Sequence, residues 1–271
     1  YKSRGDIKGA LDNYHLALNI CLEINNNEGI NSVTNNIGLI YIDQGAYTKA
    51  LDIYNKNIDR QMEQGDTWGL TNSYNNIGSV YGKLGDSEKE LEYYQKSLTL
   101  AERSGYKQLM ARAYNNIGIV YKNQEKRLKA IYYLEKSLVV LQEIDYLISR
   151  PRILNNIGSL YLEQGELDRA LDYCEQSLKL AQEMGHTEYI GNAAKVLYQI
   201  AEQQGRYKIA LAYHKLQHQM EDILFNEETT KKITQVQAEM EYENKLREQT
   251  LELEQKQALK EERFKRYLYI G

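Results

Sequence analysis

The string Asn-Asn-Ile-Gly occurs four times in this chain of 271 residues, and each copy begins 40 residues after the previous one. The copies begin at Asn35, Asn75, Asn115 and Asn155. A fixed period of this length is typical of an array in which one supersecondary unit is repeated and each unit buries its apolar face against its neighbours. The chain is therefore predicted to act through an extended surface rather than through one central pocket.

Other positions of the repeat follow the same period. A tyrosine stands three residues after each motif glycine, at Tyr41, Tyr81, Tyr121 and Tyr161. A glycine follows four residues later, at Gly45, Gly85, Gly165 and Gly205, and Glu125 takes this place in one repeat. Tyr1 and Gly5 fit the same register. We therefore expect the chain to begin inside a repeat and to be a piece of a longer protein.

Each repeat is predicted to contain two helices. Apolar residues at Ile30, Ile37 and Tyr41 follow the helical period, and so do those at Ala50 and Tyr54. The breaks between repeats fall at Asn25, Gly65, Gly105, Asp145 and Gly185. These residue types tolerate the left-handed conformation that ends many helices. Pro151 falls in the first turn of a predicted helix, where its missing N–H costs little.

The pattern of one repeat resembles the tetratricopeptide repeat (TPR). It has a small residue at Gly38 and an aromatic one at Tyr41, followed by Gly45, Ala50 and Tyr54. The 40-residue unit with its asparagine pair is similar to the TPR variant of kinesin light chain and Pins-type scaffolds, and to helical sensor arrays of bacteria. The resemblance implies an all-α fold, a right-handed superhelix of antiparallel helix pairs. It covers residues 1–225, with half a repeat followed by about five repeats, the last of them degenerate.

Residues 226–271 have a different composition, with 10 acidic and 9 basic side chains, no proline, and glycine only at the last position. Apolar residues at Ile233, Val236 and Met240 are spaced for one long helix with a narrow seam, which predicts partial pairing with a second copy of the chain in a coiled coil. Glu243 and Arg247 interrupt this seam. The alternative is a charged helix that stands alone in solvent.

The chain ends in a basic cluster of Arg263, Lys265 and Arg266, followed by the aromatic and aliphatic residues 267–271. This pattern looks like the edge of a membrane span. A TPR array followed by a charged helix and a span resembles the sensor regions of bacterial membrane-bound signalling proteins, commonly histidine kinases and sometimes nucleotide cyclases or phosphatases. The resemblance implies an extracytoplasmic, periplasmic array. Positive residues favour the cytoplasmic flank, so a cytoplasmic location stays open.

No catalytic residue, metal site or cofactor is predicted. His214 and His218 stand four residues apart on one helix, a spacing that could bind a metal, but they occupy the repeat positions of Tyr54 and Ile58 and are expected to be packing residues. The chain has no phosphate-binding glycine string. The net charge of −4 gives no argument for binding nucleic acid.

The asparagine pairs are the candidate binding residues. A step of 100° per residue places the first asparagine of each pair roughly 150° from the apolar centre of its helix, and the second on the flank. The first members are therefore expected to form an outward ladder along a concave groove, at Asn35, Asn75, Asn115 and Asn155, with Asn76 and Asn116 beside it. Amides suit the N–H and C=O groups of an extended peptide. The alternative is that the ladder bonds neighbouring helices and orders the superhelix.

Basic residues add a second feature to this groove. Arg112 and Arg152 project into it, and Lys83 and Lys122 lie near, which predicts an acidic segment or a terminal carboxylate on the partner. The leading prediction is a non-catalytic, peptide-binding sensor region of a larger membrane signalling protein, with a histidine kinase as output. The alternatives are a soluble intracellular scaffold of the Pins or kinesin-light-chain kind, and a cytoplasmic regulator resembling bacterial peptide-sensing TPR phosphatases and anti-activators.

Overall fold

The computed structural model describes the backbone of residues 7–270, and the side chains of this range except those of residues 239, 252, 253 and 261–270. The described residues form eleven helices and no strand. The helices are α1 Ile7–Glu23, α2 Asn27–Asp43, α3 Tyr47–Gln64, α4 Thr67–Leu84, α5 Ser87–Ser104, α6 Lys107–Asn123, α7 Arg127–Glu143, α8 Arg150–Glu163, α9 Leu167–Glu183, α10 Thr187–Gln203 and α11 Tyr207–Ile270. The expected all-α architecture with a long C-terminal helix is confirmed.

The helices pack in chain order as successive pairs. The first helices of the repeats are α2, α4, α6, α8 and α10, and α1 is the second helix of a half repeat. First helices also contact one another across repeats, as α2 does with α4, α4 with α6, and α8 with α10, whereas the described second helices make no comparable contact among themselves. The first helices therefore form the inner, concave wall of the array.

The breaks between repeats have the left-handed backbone that the sequence predicts. Asn25 has a φ of 53° and Asp145 a φ of 50°, close to the 66° of Gly65. Glu125 replaces glycine at the turn inside its repeat and has a φ of 57°. A side chain with a Cβ is strained in this conformation, so the turn at Glu125 is less favourable than the turns at the equivalent glycines.

The motif glycine is a packing requirement within each helix pair. A Cβ added at Gly38 would lie 2.2 Å from the ring of Tyr54, and one added at Gly118 would lie 2.8 Å from Cγ of Leu134. These distances are shorter than real contacts, so the two helices can approach this closely only when the position is glycine.

Buried serines join the two helices of three repeats. Ser97 Oγ donates to the carbonyl oxygen of residue 71 at 2.9 Å, and Ser137 Oγ donates to that of residue 111 at 2.7 Å. Ser177 Oγ makes the same bond to the carbonyl of Pro151 at 2.7 Å. Each serine is at most 1% exposed. The hydroxyls thus hold the second helix in a fixed register on the first.

Helix α11 begins at Tyr207 as the second helix of the last repeat and continues to Ile270 without a break. The boundary expected near residue 226 falls inside this helix. Met220 is 8% exposed, whereas Ile233, Val236 and Met240 are 51–61% exposed in the chain as described. The pairing of two copies along this seam stays a prediction. No helix in the described range is long and apolar enough to cross a membrane, and the side chains of residues 261–271 lie outside that range.

Candidate functional site

The asparagine pairs lie between neighbouring first helices. Asn76 Nδ2 donates to Asn35 Oδ1 at 2.8 Å, and Asn116 Nδ2 donates to Asn75 Oδ1 at 2.9 Å. In both cases the second asparagine of one repeat bonds to the first asparagine of the preceding repeat. This geometry matches the alternative in which the ladder bonds adjacent helices and orders the array.

The expectation of an outward-facing first asparagine is wrong for two repeats. Asn75 is 7% exposed and Asn115 is 4% exposed. A projection of 100° per residue treats each helix alone, whereas here the next first helix packs on that side. Asn35 and Asn155 are half-buried, and so are the second members Asn76 and Asn116.

The ladder stops at its third step. Asn156 Oδ1 accepts a bond from Lys122 Nζ at 3.3 Å, and Asn115 Nδ2 donates to Asn116 Oδ1 at 3.1 Å within its own helix. Asn115 Oδ1 is buried and has no hydrogen-bond partner in the described part of the chain. Lys122 thus contacts an asparagine of the neighbouring first helix, and its expected contact with a partner stays a prediction.

The two arginines differ in burial. Arg112 is half-buried and donates from Nη2 to Asn72 Oδ1, while its Nε is buried and finds no acceptor among the described residues. Burial lowers the pKa of Arg112 below its usual value because it removes the charged group from water. Arg152 is exposed, and Lys83 is exposed in the last turn of α4.

Two cavities open on the first helices in the central part of the array. One of about 320 Å³ lies between α6 and α8, and the other, of about 390 Å³, lies between α8 and α10. The first is lined by Gln108, Arg112, Asn115, Asn116, Tyr146 and Arg152 among others. The second is lined by Arg152, Asn155, Asn156, Tyr189 and Asn192 among others. Of the predicted site residues, Asn35, Asn75, Asn76, Lys83 and Lys122 line neither cavity.

The repeat pattern did not predict three of the residues that line the first cavity, Gln108, Tyr146 and Ser149. Tyr146 and Ser149 lie in the connection before α8, which starts three residues later than the 40-residue period predicts from α6. Pro151 was the available signal, because a proline near a helix start limits how far the helix extends toward its N-terminus.

The histidine pair is less buried than expected. His218 is exposed and His214 is half-buried, so the expectation that both are core residues is wrong for His218. Within the described residues α11 continues to Ile270 and no further helix packs on this part of it, which explains the exposure. Their Nε2 atoms lie 3.2 Å apart, and the described residues contain no group of three or more side chains suited to a metal.

A family model of the tetratricopeptide repeat matches the chain in four overlapping segments, at residues 29–103, 69–143, 109–183 and 149–216. The chain belongs to the tetratricopeptide repeat family. TPR arrays bind protein or peptide partners and are generally non-catalytic, so this chain is a TPR protein-binding scaffold. No curated protein sequence matches the chain.

Solved structures share the TPR fold. BtubC from P. vanneervenii has a TM-score of 0.73 and 20% identity, over 81% of this chain and 91% of that one. A Rap protein complexed with competence and sporulation factor has a TM-score of 0.59 and 13% identity, over 82% and 72% of the two chains. A STAND signal-transduction ATPase with a TPR sensor from Pyrococcus horikoshii has a TM-score of 0.59 and 18% identity, over 82% of this chain and 38% of that one. At these identities the similarity shows the fold alone.

Proposed function

We propose that this TPR array is the sensing region of a signal-transduction protein, in which the concave groove binds an extended peptide segment and α11 passes the response onward. The observation that carries the proposal is the continuity of α11. The same helix packs on α10 through Ala210 and Met220, which are 4% and 8% exposed, and then extends beyond the array.

The packed part of α11 is fixed tightly to the last first helix. A Cβ added at Gly191 of α10 would lie 3.2 Å from Cβ of Met220, so the two backbones approach closely there. A ligand that contacts several first helices favours the arrangement of repeats that it binds best. Because the second helix of the last repeat and the tail are one helix, a change in this arrangement reorients the tail.

The peptide is the favoured ligand because the inner wall offers amide and guanidinium groups rather than an apolar pocket. Carboxamides and backbone amides carry the same donor and acceptor groups, so asparagines suit an extended main chain. The Rap protein mentioned above was solved with a competence and sporulation factor, and the STAND protein contains a TPR sensor. We propose that this chain has both roles, recognition of a peptide ligand and sensing.

The membrane setting of the proposal is supported by the sequence resemblance. Basic residues followed by residues 267–271 look like the border of a span, which fits a membrane-bound histidine kinase, cyclase or phosphatase with a periplasmic array. A soluble cytoplasmic scaffold is the second candidate, and the exposed seam at Ile233, Val236 and Met240 favours it as a site of homodimerisation. The sequence that follows Gly271 would distinguish the two candidates. An apolar stretch of about 20 residues there would support the membrane protein, and continued heptads would support the scaffold.

Light scattering tests the dimer part of the proposal. The full chain and a chain lacking residues 226–271 are compared at high protein concentration. A larger molar mass for the full chain alone would support pairing through α11. If both samples are monomers, this pairing is excluded.

Peptide selection tests the sensor proposal. Peptides are selected from a random library against the full chain, and hydrogen exchange is measured with and without the best binder. We expect slower exchange in α6, α8 and α10 and a changed rate in residues 207–220 of α11. Arg152→Glu should weaken binding, whereas Lys179→Glu, an exposed reversal on α9, should not. Protection confined to the second helices, or no change in α11, would contradict the proposal.

A further inference from the structure

The histidine pair of α11 occupies two repeat positions that are apolar or aromatic in the preceding second helices. There the positions of His214 and His218 hold Tyr54 with Ile58, Tyr94 with Leu98, Leu134 with Leu138, and Cys174 with Leu178. The last repeat of an array needs a polar outer face, which accounts for the loss of apolar side chains here. Any polar residue meets that need, so the choice of histidine at both positions is left unexplained.

The ring nitrogens of the pair are spaced like two ligands of one metal ion. His214 Nε2 lies 3.2 Å from His218 Nε2. Two imidazole nitrogens on one tetrahedral zinc ion lie roughly 3.3–3.4 Å apart, because each Zn–N bond is about 2.0–2.1 Å long. Side chains four residues apart lie on the same face of a helix, so the backbone of α11 maintains this spacing. A single ion can therefore replace the hydrogen bond between the two rings.

A carboxylate favours one state of the outer ring. His218 Nδ1 lies 3.2 Å from Glu221 Oε2, and Glu221 Oε1 accepts a hydrogen bond from Gln217 Nε2 at 2.7 Å. A carboxylate beside one nitrogen of a neutral imidazole favours the proton on that nitrogen, so His218 Nε2 keeps its lone pair. Histidines that bind metals commonly have such a carboxylate behind them, which orients the ring and raises its basicity. His218 is therefore suited to bind a metal through Nε2.

The inner ring is positioned by α10. The ring centroid of His214 lies 5.1 Å from that of Tyr198, whose hydroxyl donates to Glu202 Oε1 at 3.1 Å. Glu202 and Glu221 thus place a carboxylate at each end of this series of rings, and negative charge nearby favours a bound cation. His214 is half-buried and His218 is exposed, so the pair is accessible to an ion from solvent.

We propose that His214 Nε2 and His218 Nε2 bind one divalent transition-metal ion of the class that prefers imidazole, with zinc as the representative ion. His214 binds as the tautomer that carries its proton on Nδ1. Water completes the coordination, since the described residues contain no group of three or more metal-binding side chains.

The ion would join two successive turns of α11 between Ala210 and Met220, the buried residues through which this helix packs on α10. Binding would therefore make this part of α11 harder to unwind, because an ion that binds only the helical arrangement stabilises it. This inference does not depend on the binding of a peptide in the groove.

Calorimetric titration with zinc chloride tests the site, on the full chain without an affinity tag. One ion should bind per chain. His214→Gln and His218→Gln should each weaken binding by about tenfold or more, because loss of a residue behind a ligand already costs about 10–100-fold. His218 is exposed, so His218→Gln removes no buried contact, and circular dichroism checks that both variants keep their helices.

The matched control exchanges His218 with the exposed Gln219, by combining His218→Gln with Gln219→His. This variant has the same composition as the parent, but its second histidine is turned by about 100° around the helix. It should bind zinc as weakly as His218→Gln. His15→Gln removes an exposed histidine of α1 and should leave the affinity unchanged.

Nitrogen NMR of the parent chain gives a measurement that needs no variant. Zinc should shift the ring signals of His214 and His218 and leave those of His15 and His186 in place, and hydrogen exchange in residues 214–222 should slow. Absence of zinc binding by the parent, or equal affinity of the parent and the exchanged variant, would overturn the site. Displacement of zinc by equimolar magnesium, which prefers oxygen ligands, would also overturn it.

Discussion

Asn116 Nδ2 donates a hydrogen bond to Asn75 Oδ1 at 2.9 Å, across the boundary between two repeats. Asn75 is 7% exposed, so its acceptor cannot turn to bulk water if this donor is lost. The recurring asparagine pair is therefore a connection between repeats.

Removing the donor tests this connection. Asn116→Ala leaves Asn75 Oδ1 buried and unpaired and also removes the acceptor of Asn115 Nδ2, so it should lower the free energy of unfolding by about 1–3 kcal/mol in a urea titration. Asn156→Ala is the matched control, because its side chain accepts a bond from Lys122 at 3.3 Å and donates none to Asn115. It should cost less than Asn116→Ala. Equal effects at both positions would show that the ladder bond carries no special stabilisation.

The strained turn at Glu125 gives a second prediction. Glu125 has a φ of 57° where equivalent repeats have glycine, so Glu125→Gly should raise the free energy of unfolding by about 1 kcal/mol. The reverse change, Gly165→Ala at a φ of 76°, should lower it by a similar amount. Thermal unfolding measures both, and a lower melting temperature for Glu125→Gly would contradict the strain.

The two cysteines should differ in reactivity. Cys174 is fully buried, and burial raises the pKa of its thiol to about 12, so little thiolate forms at neutral pH. Cys21 is half-buried in α1. Iodoacetamide should modify Cys21 in the folded protein and Cys174 only after unfolding, as followed by mass spectrometry, and Cys21→Ser should remove the fast reaction. Modification of both at one rate would contradict the packing.

The array should lose stability at alkaline pH. Burial raises the pKa of Tyr54 from 10.0 to about 12 and that of Cys174 from 9.0 to about 12. The folded state holds these protons more tightly than the unfolded state, so the stabilisation is complete below pH 9 and is lost as the pH rises toward 12. Urea midpoints between pH 8 and 11 should fall, and Tyr54→Phe should reduce the decline. A constant midpoint would contradict the raised pKa values.

The sequence predicts the helix pairs and their ends because these depend on local backbone preferences. Asn25 and Asp145 were placed at left-handed positions from residue type alone, and both are left-handed. A serine also recurs every 40 residues, at Ser97, Ser137 and Ser177, and this recurrence is visible in the sequence. The acceptors of these serines are main-chain carbonyls of the paired helix, which the sequence does not show.

The burial of Asn75 and Asn115 could not be predicted from a single helix, because a neighbouring repeat covers them. Two features meet at the boundary where the acceptor of Asn115 is unpaired. Asn156 accepts a hydrogen bond from Lys122, and α8, with Pro151 in its first turn, is short. The sequence contains these residues, but only the packed array shows that they lie at the same boundary.

The uninterrupted α11 has a mechanical consequence. About 50 residues follow Met220, and at about 1.5 Å of rise per residue they span roughly 75 Å. A tilt of the last helix pair by about 10° would displace the far end of such a rod by roughly 13 Å, estimated from the same helical rise. Rearrangements too small to alter the fold of any one repeat are thus amplified into a movement as large as the width of a helix.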